Sequence, residues 1–277
     1  MNIKHRVSFN SKKDEVLFHF VINANIKHKA SEIPGGKSKF VWFDITESDP
    51  NWPELSQLIQ TLKVVDIYDT FFSKSEILNA EWARLFSTYT EGYPQPFETW
   101  ITDPINYNNN CRTCGTFQQV SNFQIDQEPT LRGHDFMTLN WAVSTFFCTP
   151  KVFENFESHQ IKGYETWKVI LTKTGSPVQK ISQLFVPNET ASGLLNRDEL
   201  APVKCSQCNI TRYFHHQRGV MQYKRDAFDP DLDIIRSYEW FGSGRDGYQE
   251  VFVSNRVIKL IIEYGWKGVR FKVVKLV

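Results

Sequence analysis

The chain has 277 residues, 32 Lys and Arg against 31 Asp and Glu, a 41% hydrophobic content and five cysteines. That composition excludes intrinsic disorder, and a net charge of +1 speaks against a protein built to coat nucleic acid phosphates. No apolar run approaches the roughly 20 residues a membrane-spanning helix needs.

The start, Met1-Asn-Ile-Lys-His-Arg, has no apolar stretch behind it and so no secretory signal, and the expectation is a cytoplasmic protein with reduced thiols. Glu15 to Ile22 (EVLFHFVI) is a dense apolar run of strand length. A turn at Glu32 to Ser38 leads to a second strand, Lys39 to Ile45. Leu55, Leu58, Ile59 and Leu62 follow the spacing of one buried helix face. Ser73-x-x-Glu76 has the form of a capping box, and Leu78, Trp82 and Leu85 fall on one face of the helix it would open. In the middle, Asn140 to Phe147 is apolar. Thr149-Pro150 reads as a helix cap and first turn, ahead of Val152, Phe153 and Phe156. Lys162-Gly163 ends that helix, and strands are expected at Tyr164 to Thr172 and Lys180 to Val186.

The last third repeats part of this pattern. At an offset of 105, Phe147 matches Phe252, Val152 matches Val257, Lys162-Gly163 matches Lys267-Gly268, and Val169 matches Val274. Val257, Leu260 and Ile261 share a helix face, Gly265 stands where a helix ends, and Val269 to Val273 alternates like a half-buried strand. A CxxC lies upstream of each copy. The pattern predicts an α+β fold with mixed and antiparallel sheets and short helices, organised as an N-terminal region over 1–105 and a body over 106–277. Two degenerate repeats, about 111–172 and 205–277, make up the body. Trp141, Phe147, Phe156, Trp167, Phe252, Leu260, Ile261 and Phe271 are the expected core.

Cys111-Arg-Thr-Cys114-Gly115 and Cys205-Ser-Gln-Cys208-Asn209 are the most specific feature. A CxxC turn aims two thiolates at one ion, and a Gly or Asn after it takes the left-handed backbone angle such a knuckle uses. Two knuckles complete a tetrahedral four-thiolate site, so Cys111, Cys114, Cys205 and Cys208 are the expected ligands of one structural Zn2+ per chain. A redox CxxC would open a helix after a strand, and Asn108-Asn-Asn does not read as a strand. His215 and His216 stay open as replacement ligands. Cys148 reads as a small core residue.

Other motifs fail. Gly36-Lys37-Ser38 lacks the first glycine of a phosphate loop, which would fall on Ser31. Gly242-Ser-Gly-Arg-Asp-Gly247 precedes a strand and so reads as a turn. Asp229-x-Asp231-x-Asp233 lacks the glycine and glutamate of a calcium loop. No HExxH, no GxSxG and no HxE ahead of a CxxC occurs, which leaves no positive case for an enzyme. Arg212, Arg218, Lys224 and Arg225 among Tyr213, Phe214 and Tyr223 carry the alternative reading, a zinc-knuckle nucleic-acid-binding protein, which the balanced charge disfavours.

The two CxxC pairs, the first followed by Gly115, together with Val253-Ser-Asn-Arg-Val257, Lys267-Gly268 and Val274, resemble the double-CxxCG immunity proteins of bacterial polymorphic toxin systems. Asp69-Thr-Phe-Phe-Ser, Gly92-Tyr-Pro-Gln-Pro96 and Tyr238-Glu-Trp-Phe-Gly242 are similar to further parts of that family, so the resemblance spans about 64–277. Asn209 departs from the family's second glycine. The resemblance implies a non-enzymatic cytoplasmic protein whose partner is a cognate toxin, with no role for membrane and no transferable contact motif.

Overall fold

A computed structural model describes residues 1–36, 38–100, 104–108, 111–142 and 144–277. Lys37 of the Gly-Lys-Ser motif and Asn109 and Asn110 before the first CxxC lie outside the described residues. The chain divides into two compact units, residues 1–73 with 217–219, and residues 74–216 with 220–277. The division therefore falls after Ser73, ahead of the expected boundary at 105. The cause is one strand, described below, that is sequence-early but pairs with the C-terminal strands.

In the first unit, β1 (Asn2–Asn10), α1 (Glu15–Asn23), β2 (Lys29–Glu32), β3 (Lys39–Thr46), α2 (Trp52–Leu62) and β4 (Val65–Phe71) form a sheet in the order β2-β3-β1-β4. β1 runs antiparallel to both neighbours. This is a split βαβ arrangement, and Val7, Phe9, Val41, Phe43 and Ile45 form its core with Leu17, Val21, Leu55 and Ile59 from the helices. The expected strand at 15–22 is a helix instead. Leu17 and Val21, four apart, are buried, whereas Val16 and Ile22 are exposed. A short apolar run cannot be assigned by periodicity alone when its exposed face is also apolar. β1 is the strand that the charged start concealed. His5 takes an inward position, its Nδ1 2.9 Å from Asp66 Oδ1 and its Nε2 3.1 Å from Glu47 Oε1.

The second unit begins with α3 (Lys74–Asn79) and β5 (Trp82–Ser87). The helix expected to carry Leu78, Trp82 and Leu85 ends at Asn79. Trp82 to Leu85 are buried in succession, because β5 is an interior strand covered on both faces, and a buried run carries no alternation. There follow β6 (Tyr107–Asn108), β7 (Gln118–Gln119), β8 (Gln124–Ile125), β9 (Phe136–Met137), β10 (Phe146–Cys148), α4 (Pro150–Ser158), β11 (Glu165–Leu171), β12 (Pro177–Phe185), β13 (Val203–Lys204), β14 (Thr211–Tyr213), β15 (Met221–Tyr223), β16 (Ile234–Phe241), β17 (Tyr248–Ser254), α5 (Asn255–Glu263) and β18 (Val269–Leu276). Thr149 is the extended N-cap residue of α4 and Pro150 opens it, as the sequence indicates.

One sheet of this unit has the order β8-β11-β12-β10-β9, and five strands of the larger sheet have the order β15-β18-β5-β17-β16. The registers correspond as well. Phe147 faces Gln183 and Met137 where Phe252 faces Arg84 and Ile235. Thr166 faces Leu184 where Phe271 faces Leu85, and Ile170 faces Gln124 where Lys275 faces Gln222. The middle strand of each sheet comes from the stretch before the other sheet's CxxC: β5 precedes Cys111 yet lies in the C-terminal sheet, and β12 precedes Cys205 yet lies in the N-terminal one.

The two Lys-Gly turns are exchanged in the same way. Lys162 O accepts from the backbone N–H groups of Asp233 and Ile234, and Lys267 O accepts from those of Asp135 and Phe136. Lys162 N and Lys267 N donate to Asp233 Oδ2 and Asp135 Oδ2, at 3.1 and 3.0 Å. Of the expected core, Phe147, Phe156, Phe252, Leu260 and Ile261 are buried. Trp167 and Phe271 are half-buried, and Trp141 is exposed on a loop. Trp167 stacks on Phe185, with ring centroids 4.0 Å apart.

Candidate metal centre

Both CxxC pairs are turns of β-hairpins. β6 and β7 flank the first and β13 and β14 the second. In each, the first cysteine's N–H donates across the hairpin, Cys111 to Thr116 O and Cys205 to Ile210 O, both at 2.9 Å. Gly115 N and Asn209 N then donate back to Cys111 O and Cys205 O. The first CxxC thus follows a short strand that ends at Asn108, and it closes a turn instead of opening a helix. Gly115 and Asn209 hold φ of +71° and +63°. The reason the first position is glycine goes further than the angle. A Cβ on Gly115 would lie 1.8 Å from Arg245 O, where the knuckle rests on the turn between β16 and β17.

The hairpins bring four sulfurs together. Cys111 and Cys205 Sγ are 3.7 Å apart, Cys114 and Cys208 Sγ are 3.5 Å apart, and the four ligand atoms all lie within 4.8 Å of one another. A disulfide needs about 2.05 Å, so the thiols are free. A tetrahedron of thiolates around a metal at about 2.3 Å has edges near ~3.8 Å, which the observed spacing fits. Neither His215 nor His216 belongs to this cluster. His215 meets Tyr248, and His216 O accepts from the buried Arg84.

The electrostatics of the four thiols differ. Cys205 is drawn down to about 6 by the N–H groups of Cys208 and Gln207. Burial works to raise Cys208, but the Ile210 N–H and the Thr116 hydroxyl outweigh it and the group is lowered. Burial pushes Cys114 up to about 12. A buried thiol of that kind ionises against a cation, which is what a metal supplies. The surrounding groups orient the site. Arg212 Nη1 donates to Cys114 O at 2.9 Å, Thr116 Oγ1 lies 3.3 Å from Cys114 Sγ, and Thr113 Oγ1 donates to Gln207 Oε1 at 2.6 Å, tying one knuckle to the other. Sequence patterns did not point to Thr116 or Gln207, and singled out Arg212 only for the nucleic-acid reading, because their role at this site depends on the pairing of two hairpins 94 positions apart. Cys148 is buried in the core on β10, its thiol pushed well up by burial.

The residues of the alternative nucleic-acid reading are dispersed. Arg212, Tyr213 and Tyr223 are buried, Arg225 pairs with Glu81, Arg218 lies in the first unit and pairs there with Glu47, and Phe214 is exposed. No helix of the described residues is long and apolar enough to cross a membrane. No protein-family model matches the chain, and no curated protein matches it.

Proposed function

We propose that the chain is a non-enzymatic, cytoplasmic immunity protein that binds and neutralises a cognate bacterial toxin, with one structural Zn2+ held by Cys111, Cys114, Cys205 and Cys208. The observation that carries the metal assignment is the closed four-sulfur cluster with every atom within 4.8 Å of the others. Four thiolates leave zinc no open position for water, so the ion is a staple and not a catalyst. The toxin assignment rests on the paired CxxC hairpins and the closing Val253 to Val257 and Lys267-Gly268 pattern. Residues 74–277 are read as two copies of one unit with exchanged middle strands, supported by the matching registers.

Elemental analysis of purified protein is expected to return one zinc per chain; a metal-free, fully reduced protein of unchanged stability overturns the zinc assignment. Co-expression with the toxin-like reading frame beside its gene is expected to rescue growth. Full toxicity despite soluble expression of the chain overturns the immunity assignment.

A further inference from the structure

The equivalence of the two sheets supplies an internal control for reading cavities. A cavity of about 400 Å³ lies beside β5, lined in part by Leu85, Phe86, Ser87, Thr138, Ser144 and Phe146. The corresponding place beside β12 is lined by Leu184, Phe185, Val186, Arg236, Gln249 and Val251, and its volume is about 60 Å³. Leu85, Phe86, Ser87, Thr138 and Phe146 correspond to Leu184, Phe185, Val186, Arg236 and Val251 at, or one residue beyond, the paired strand positions, and Ser144 matches Gln249 only by the 105-residue offset. The local backbone corresponds too. Thr138 N donates to Tyr89 O and Arg236 N donates to Asn188 O, and isolated parallel bridges join Thr90 to Thr138 and Glu189 to Arg236.

The difference is in the side chains. Beside β12, Arg236 pairs with Glu189 at 2.9 Å, and Val186 and Gln249 add bulk. Beside β5 the same positions hold Thr138, Thr90, Ser87 and Ser144, and the two threonine hydroxyls meet at 3.0 Å. Along β5 and at Thr90 and Thr138 the fold therefore does not require a void, since the corresponding backbone is filled elsewhere in the molecule; the backbone at Trp141 and Ser144 has no such counterpart, because Gln249 is an ordinary residue of β17. Small side chains keep one site open. Two residues next to it, Trp141 and Ser144, hold φ of +68° and +57°, angles that bulky L residues seldom adopt and that concentrate at functional sites.

The lining defines the ligand chemistry. Among the described residues, no Lys, Arg, Asp or Glu lines the cavity, and the imidazole that does, His215, meets the Tyr248 hydroxyl through its Nδ1. Trp141 and Tyr248 offer aromatic surface beside Phe86, whose ring also carries the Arg84, Arg270 and Lys272 cations, and Thr90, Thr138 and Asn140 offer uncharged hydrogen-bonding groups. A volume of this size suits a small molecule. We infer that the cavity beside β5 binds an uncharged aromatic molecule of about nucleoside size that carries hydroxyl or amide groups. The inference goes beyond toxin binding and does not depend on it.

The test uses the full chain and ligand-observed NMR with adenosine, uridine and N-acetyl-tryptophanamide. At least one is expected to bind with Kd of ~1 mM or tighter. Binding of a nucleoside alone assigns a nucleoside ligand, and binding of the tryptophan amide alone assigns an amino-acid or peptide aromatic group. The double variant T90E/T138R transplants the ion pair seen at the filled site, and is expected to fold and to weaken binding at least about tenfold. S87V alone, which puts the Val186 side chain of the filled site at the matching place on β5, is expected to act in the same direction, and it carries the comparison if the double variant fails to fold. No binding by any of the three at ~10 mM overturns the inference. So does equal binding by the wild type and the folded variants, or tighter binding of adenosine monophosphate than of adenosine.

Discussion

Replacing Gly163 or Gly268 with alanine tests the exchanged turns. Their φ values are +99° and +102°, and a Cβ would lie 2.0 Å from Ile234 O and 1.9 Å from Phe136 O respectively. Those contacts are with backbone, so a side-chain rotation cannot relieve them. The angle alone costs about 1–2 kcal/mol for an L residue. Retreat of the facing strand weakens two backbone hydrogen bonds at each site, those accepted by Lys162 O or Lys267 O, worth about 0.5–1.5 kcal/mol each. The expected loss is therefore about 2–5 kcal/mol per substitution, or a fall in Tm of roughly 4–20 °C for a unit of this size. Gly175→Ala is the control. Its φ is +68° and open space surrounds it, so only the angular cost of about 1–2 kcal/mol applies. Urea and thermal melts of the three variants decide the matter. Gly163→Ala and Gly268→Ala melting together with Gly175→Ala would refute the packing argument, and a large effect at one turn but not the other would refute their equivalence.

Cys205→Ser is expected to release the metal and remove the stability that an ion bound only by the folded chain confers, about 2.7 kcal/mol where free zinc stands at ~100 times its Kd; an unchanged Tm would show that the ion is dispensable. Glu250→Gln removes the charge that faces Arg84 at 2.9 Å with both side chains 2% exposed, and is expected to destabilise by roughly 3–5 kcal/mol in denaturant titration, because a buried guanidinium is left unbalanced. Burial works to raise Glu91, but the Tyr89 hydroxyl and the N–H groups of Thr130 and Leu131 hold its folded pKa at about 2, below the ordinary 4.5. Its contribution is thus present above pH ~4.5 and lost as the pH falls toward 2. Glu91→Gln should lower Tm at pH 7 and flatten the acid limb of a Tm-against-pH curve, and an unaltered limb would count against this role.

What could be read from the sequence was whatever carried its own local signal. The CxxC turns, the Thr149-Pro150 start of α4 and the Val257, Leu260, Ile261 face of α5 depend on residues a few positions apart, and all three are present. The failures share a cause. EVLFHFVI folds as a helix whose exposed face is also apolar, and Trp82 to Leu85 form an interior strand buried on both faces, so neither segment carries the period that distinguishes the two structures. Trp141 was expected in the core for its size, yet it stands at the rim of a cavity, 37% exposed. Asp233 was weighed only as part of a calcium loop. Its role is to accept from the Lys162 N–H and pair with Arg256, as Asp135 does with Lys267 N–H and Lys151. That pairing joins residues from distant parts of the chain and leaves no short motif.

The strand exchange also bears on what a metal would do here. Each sheet of the second unit contains a middle strand supplied from ahead of the other sheet's knuckle. The five-stranded sheet is drawn wholly from residues 124–185, whereas the larger sheet closes only with β5 from residues 82–87, and the Lys-Gly turns already tie the two sheets together by backbone hydrogen bonds. An ion between the knuckles is not needed for that purpose. The first hairpin is the weak element, since β6 and β7 pair through two residues each and join no larger sheet, whereas β14 also pairs with β16 and so anchors the second hairpin in the larger sheet. An isolated pair so short is not stable in water. Four thiolates on one ion would supply what that ladder lacks, fixing both turns at once and pressing Gly115 against the turn that carries Arg245. The metal's work is then local: it would fix the isolated β6-β7 hairpin onto the hairpin that the larger sheet already anchors.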